Sequence, residues 1–113
     1  MPWTLTTPIQ TGGLDSDAYD KIKITKFLQD AVRNMMEVHI EYGREETQGE
    51  ATVWIPGFAP KTRQTYFRIE GEDYLTLVTT HLPNEGELTY EAVKRALYTW
   101  LNTNGHIDAG VIS

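Results

Sequence analysis

The residues of this sequence that are best suited to chemistry are its three histidines and its carboxylates. His39 and Glu41 lie two positions apart in an alternating run, so both side chains could reach one metal ion. The spacing indicates no third ligand, and an exposed polar strand face explains the same pair, which is the interpretation that we prefer. His81 and His106 fall at the ends of predicted elements, where loop or cap roles suffice. We therefore predict no metal site and no cofactor.

The motifs of the common enzyme classes are absent from the sequence. The two serines, Ser16 and Ser113, do not lie in a nucleophile elbow, and there is no glycine-rich phosphate loop or dinucleotide fingerprint. The lack of cysteine excludes disulfides, thiolate metal sites and a cysteine nucleophile. Asp15-Ser16-Asp17 resembles the start of a calcium loop, but Asp20 and Lys26 occupy the positions that require glycine and glutamate. We predict no catalytic residues and a protein that is not an enzyme.

Length, composition and charge limit the partners that we expect. The 113 residues, 40% hydrophobic and 23% charged, are typical of one globular domain. The formal net charge of −6 disfavours nucleic acid, because affinity for phosphate backbones comes largely from Lys and Arg. No apolar run approaches the roughly 18 residues that a membrane span needs, and no secretory signal is visible at the start. We expect neither a nucleic-acid nor a membrane partner.

The hydrophobic pattern predicts an α+β fold. We expect an antiparallel β-meander of about five strands, with one C-terminal amphipathic helix packed on it and an extended N-terminal arm. Within a single domain, 1–113, the arm covers 1–13, the meander 19–80, the helix 89–103 and an extended tail 104–113. The arm is interpreted as extended chain or an edge strand because it contains two prolines, and Gly12-Gly13 would make a flexible joint after it.

A first hairpin is predicted near the start of the meander. Lys21–Leu28 and Met35–Gly43 both alternate between apolar and polar residues, which indicates two strands joined across Gln29–Asn34. Lys26-Phe27 breaks the alternation and indicates a twist or bulge. A helix over Thr25–Met36 also fits the apolar spacing, and the β-branched residues of the first run favour the hairpin.

The rest of the chain supplies a second hairpin and the helix. A strand is predicted over Ala51–Ile55, and Thr65–Ile69 is predicted to pair with Tyr74–Thr80 across a tight turn. Thr89 can N-cap a helix whose apolar residues form one stripe, and Asn104-Gly105 is a good stop for it.

Aromatic side chains form the candidate protein interface. Trp54 is expected on the strand face opposite Val53 and Ile55, and Tyr66 would share that face if its strand pairs nearby. Exposed Trp and Tyr are typical anchors of protein interfaces. Coverage of both sheet faces, one by the helix and one by the N-terminal arm, explains the same residues equally well. The candidate interface residues are Trp3, Trp54, Phe58 and Tyr66.

Three stretches together resemble small tailed-bacteriophage virion proteins associated with the tail or baseplate. They are residues 3–9 (WTLTTPI), 21–24 (KIKI) and 38–43 (VHIEYG). The resemblance implies a structural protein that is present in several copies and located in the virion after assembly in the host cytoplasm. Its partners would be other copies of itself or other virion proteins. A small acidic binding module or inhibitor with a basic partner, and a small metal-dependent enzyme built around His39, Glu41 and Tyr66, are the alternatives.

Overall fold

The computed structural model describes residues 2–10, 18–57, 59, 63–80 and 89–112. Within these residues the chain forms six strands and two helices, which confirms the α+β class but not the expected five strands and single helix. The elements are β1 (Trp3–Gln10), β2 (Ala18–Asp30), β3 (Met35–Gln48), β4 (Ala51–Pro56), β5 (Tyr66–Glu70), α1 (Gly71–Thr80), α2 (Thr89–Thr103) and β6 (Gly110–Ile112).

The strands form one antiparallel sheet in the order β4-β3-β2-β1-β6, and β5 joins it beside β3. Two strands therefore share one edge of β3, with β5 along Met35–His39 and β4 along Gly43–Gln48. The pairing with β3 continues just beyond β4, where the Gly57 amide donates a hydrogen bond to the Tyr42 carbonyl at 2.7 Å. A shared outer edge of β3, paired with both β4 and β5, thus takes the place of a simple meander.

The first hairpin is confirmed, and the competing helix over Thr25–Met36 is wrong. Strands β2 and β3 stay paired up to Asp30 and Met35, and residues 31–34 form the turn. Asn34 closes that turn with a φ of 52°, which asparagine tolerates better than most residues. The register shifts between Ile24 and Lys26, where the sequence predicted a twist or bulge.

The predicted second hairpin is wrong, because residues 71–80 form helix α1 instead of a strand. Gly71 has a φ of 62°, which ends the extended chain of β5. Glu72 and Asp73 then lie in the first helical turn, where carboxylates are favourable. Tyr74 and Leu77 are three residues apart and both buried, so the helical period determines which side chains reach the core.

The N-terminal arm and the C-terminal tail also differ from expectation, because both contribute strands. Strand β1 pairs with β2 on one side and with β6 on the other, so it lies inside the sheet. Pro8 falls between Thr4 and Ile9, where the register with β2 shifts and ladder bonds are interrupted. The joint at Gly12-Gly13 and the calcium-like Asp15-Ser16-Asp17 lie outside the described residues.

The core lies between one face of the sheet and the layer of two helices. It combines alternating sheet residues such as Ile22, Ile24 and Val38 with Leu97 and Tyr98 of α2. The predicted helix 89–103 is confirmed, and Gly105 with a φ of 75° follows its end. Neither described helix is both long and apolar enough to cross a membrane.

Candidate functional site

The candidate site is the sheet face that points away from α1 and α2, which we call the open face. It carries the residues that alternate with the core positions, and none of the described helices or strands covers it. Its central strands present Lys23 and Lys26 of β2, which stand opposite Glu41 and His39 of β3. Glu37 of β3 lies on the same face. The described part of the chain therefore leaves a polar surface with aromatic residues at its outer edge.

Trp54 is held in place on this face by three neighbours. Its indole lies over Gly43, where an added Cβ would stand 2.7 Å from the ring. The indole N–H donates to the Glu41 carboxylate, and the Lys23 ammonium lies 5.5 Å from the ring centroid, within cation–π range. Lys23 and Glu41 are themselves opposite each other in the sheet, so the three side chains form one unit.

Tyr66 forms a second aromatic unit nearby, on β5. It stands directly opposite His39, and the two rings meet edge to face with centroids 5.0 Å apart. A hydrogen bond with Glu37 raises the pKa of the Tyr66 phenol above its ordinary value, since the neutral phenol is the donor. The side chain is still 43% exposed, so it is positioned by neighbours without being buried.

Of the four interface residues proposed from sequence, the structure places two on the open face. Trp54 and Tyr66 lie there, whereas Trp3 is buried in the core, where it stacks on Tyr98 and donates to the Asp108 carbonyl at 3.0 Å. Trp3 is inward because β1 is an inner strand and not a detached arm, so it offers no exposed anchor. Phe58 lies outside the described residues.

The acidic and histidine side chains of the open face serve as partners of the aromatic rings. Glu41 accepts from Trp54 and Glu37 pairs with Tyr66, so His39, Glu41 and Tyr66 do not converge on one point. Among the described residues, no group of three His, Asp or Glu side chains could hold a metal ion. His106 lies between the rings of Phe67 and Trp100, and His81 is outside the described residues.

The arrangement can present two ordered aromatic side chains to a macromolecular surface. Charges of both signs lie beside them, because Lys23 faces Glu41 and Arg68 faces Glu37 across adjacent strands. Arg68 also pairs with Glu70 at 2.8 Å, and Glu45 stands opposite Trp54. Sequence reasoning missed Lys23, Glu37 and Glu41 as partners of the aromatics. Strand alternation placed them on one face, but only the register shows which of them meet.

The cavity beside Trp54 is small, at about 180 Å³, and Lys23, Glu45 and Thr52 also line it. Pockets for small molecules are typically roughly 300–1,000 Å³, so the cavity beside Trp54 is below the size that encloses such a ligand. Comparison of the chain with protein-family models, with curated proteins and with solved structures finds no match.

Proposed function

We propose that the protein is a non-enzymatic structural or assembly protein, a multi-copy component of a bacteriophage particle in its tail, baseplate or neck. The open face would contact other virion proteins or further copies of the chain. The observation that carries this proposal is that Trp54 and Tyr66 are ordered by specific neighbours on a sheet face that no described element covers. The resemblance of residues 3–9, 21–24 and 38–43 to virion proteins supplies the particle context.

Trp54 and Tyr66 are suited to an interface because their side chains are already ordered before binding. Immobilising a flexible side chain at an interface costs about 0.5–1.5 kcal/mol. Trp54 is fixed by Glu41 and Lys23, and Tyr66 by His39 and Glu37. Folding has therefore already restricted these side chains, and binding needs to immobilise them less. Large, rigid aromatic residues are also the commonest energetic anchors of protein interfaces.

The charge pattern favours this proposal over a small acidic module that engages a basic partner. Glu37, His39 and Glu41 alternate along β3, but Arg68 and Lys23 stand opposite the two carboxylates. The open face is therefore mixed in sign, although the chain as a whole carries −6. A purely basic partner would meet cations on this face, and like charges in contact are unfavourable.

Incorporation into particles tests the proposal. Particles produced from the genome that encodes this chain should contain it in several copies, measured by quantitative mass spectrometry of purified virions. The Trp54→Ala/Tyr66→Ala double variant should be incorporated about tenfold less, because both anchors are removed. Thr25→Ala provides the control, since Thr25 is exposed on β2 and its hydroxyl donates to the His39 carbonyl, not to Trp54 or Tyr66.

Two outcomes would contradict the proposal. Purified particles without the chain would exclude a virion component. Equal incorporation of wild type, double variant and control would exclude the open face as the contact surface. Circular dichroism of each purified variant would first establish that the fold is kept.

A further inference from the structure

Strand β4 forms an outer edge of the sheet that is hydrogen-bonded on one side only. In the described part of the chain its partner is β3, and no other strand lies beside it. The bond from the Gly57 amide to the Tyr42 carbonyl identifies these two residues as a hydrogen-bonded pair. Because such pairs alternate along antiparallel strands, the backbone amides and carbonyls of Thr52 and Trp54 point away from β3. Both residues therefore present a donor and an acceptor to a further strand.

This edge lacks the features that normally keep an edge strand from pairing. Natural edges are protected by charged side chains, proline, bulges or short length. Residues 51–55 (ATVWI) carry no charge, the register with β3 runs without a shift, and Pro56 stands only at the end of the strand. By contrast, β5 carries Arg68 and Glu70, and β6 is three residues long. Of the outer strands in the described sheet, β4 is thus the one available for pairing.

We propose that β4 of one copy of this chain pairs antiparallel with β4 of a second copy, about a two-fold axis at Val53. In this register Thr52 of each copy faces Trp54 of the other, and each of these pairs exchanges both backbone hydrogen bonds. The same edge is used on both chains, so the contact closes as a dimer. The inference goes beyond the proposed function, because it uses a strand edge and requires no particle.

The side chains of β4 favour a second copy as the occupant, because in this register they complement themselves. A large side chain meets a small one in two kinds of pair. Trp54 lies opposite Thr52 on the open face, and Ile55 lies opposite Ala51 on the other face. Val53 meets its own copy. Val53 and Ile55 are only partly buried in the single chain, so pairing removes further apolar surface from water.

The charges around β4 also permit two acidic chains to meet at this edge. The net charge of −6 makes two copies repel each other overall. Residues 51–55 are uncharged, however, and Glu50, the nearest carboxylate along the chain, would face Pro56 of the second copy. The pairing therefore avoids like charges directly opposite each other, which would destabilise it.

Single cysteines test the register, because the chain contains no cysteine of its own. Val53→Cys places two thiols opposite each other in a non-hydrogen-bonded pair, whose Cα atoms lie about 4.5 Å apart, within the range that a disulfide spans. Mild oxidation of the purified variant should therefore give a disulfide-linked dimer on a non-reducing gel. Ala51→Cys is the matched control on the same face. Its two thiols would be offset by about 13 Å along the strands, so it should cross-link at least about tenfold more slowly.

Sedimentation velocity tests the backbone bonds with a second pair of variants. Wild type should pass from monomer to dimer with increasing concentration and stop there. Thr52→Pro removes an N–H that points away from β3, so it should keep the chain's own ladder and weaken the dimer at least about tenfold. Thr52→Val keeps that N–H and should dimerise as wild type does. Circular dichroism of each variant establishes that the fold is kept, and the cysteine pair decides the matter if Thr52→Pro does not fold.

Three results would each overturn the proposal. They are a wild type that stays monomeric up to about 1 mM, equal cross-linking of Val53→Cys and Ala51→Cys, and a folded Thr52→Pro that dimerises as wild type does. Tyr66→Ala, on β5, should still dimerise, so its failure to enter particles would leave this contact intact. A monomeric chain that is incorporated into virions would refute only the pairing of β4.

Discussion

Replacement of Tyr98 by phenylalanine tests how the helix layer is fastened to the sheet. The Tyr98 hydroxyl accepts a buried hydrogen bond of 2.9 Å from the Ile24 amide, beside the register shift in β2. That amide lies where the ladder is irregular, so the phenol takes the place of a strand partner. Tyr98→Phe keeps the ring and its stacking on Trp3, with centroids 6.1 Å apart, and removes only the acceptor.

The expected loss follows from the amide that is left without a partner. A buried donor that loses its acceptor costs about 1–3 kcal/mol, so the free energy of unfolding should fall by about 2 kcal/mol. At roughly 4 °C per kcal/mol for a chain of this size, Tm should fall by about 8 °C. Urea unfolding followed by circular dichroism measures the first quantity, and hydrogen exchange should show faster exchange of the Ile24 amide.

The same substitution at Tyr66 is the matched control. Tyr66 is exposed, so Tyr66→Phe should change the free energy of unfolding by less than about 0.5 kcal/mol. If Tyr98→Phe were equally mild, or if exchange at Ile24 were unchanged, the phenol would not be the acceptor that fastens α2 to β2.

Three further predictions concern two close contacts and one buried phenol. Gly43→Ala should lower the free energy of unfolding by about 1–3 kcal/mol, because its Cβ would stand 2.5 Å from the Ile55 carbonyl oxygen and 2.7 Å from the Trp54 indole. It should also reduce particle incorporation, as we expect for the Trp54→Ala/Tyr66→Ala variant, and unchanged near-UV circular dichroism would contradict this. Gly110→Ala should detach β6, because the added Cβ would crowd the backbone of β1. Hydrogen exchange of the Thr6 amide, which donates to the Ala109 carbonyl, should then be faster. Exchange at the wild-type rate would refute the pairing of β1 with β6. Burial raises the pKa of Tyr98 to about 12, so as the pH rises this phenol ionises first in the unfolded chain. The free energy of unfolding should therefore fall between about pH 10 and 12, by up to about 3 kcal/mol. If the free energy of unfolding of Tyr98→Phe, measured in urea, fell with pH as steeply as that of wild type, Tyr98 would be excluded as the cause.

The spacing of apolar residues correctly predicted those elements in which the local pattern fits a single period. The stripe of α2 and the stop at Gly105 gave helix 89–103, and two alternating runs gave the β2–β3 hairpin. The pattern over 74–80 is compatible with both periods, because Leu75 and Leu77 would share one face of a strand. In the structure Leu77 is buried and Leu75 is 45% exposed. Packing within the helix layer therefore determines that this segment is a helix and not a strand.

Pairing between distant segments could not be predicted from local pattern. The insertion of β1 between β2 and β6 depends on a contact between the two ends of the chain, and it moved Trp3 from a presumed surface into the core. The partners of Trp54 could not be predicted either, because they too depend on pairing between separate strands. Gly43, Glu41 and Lys23 meet the indole only through the register of three strands.

The accessibility of the open face in assembled particles tests directly whether this face is the contact surface. Hydroxyl-radical footprinting should compare oxidation of Trp54 and Tyr66 in the purified chain and in intact virions, with the exposed Leu75 of α1 as the reference side chain. If the open face is the contact surface, both aromatics should be strongly protected in particles and Leu75 should change little. Equal oxidation of Trp54 and Tyr66 in the two states would contradict the assignment of this face as the contact surface.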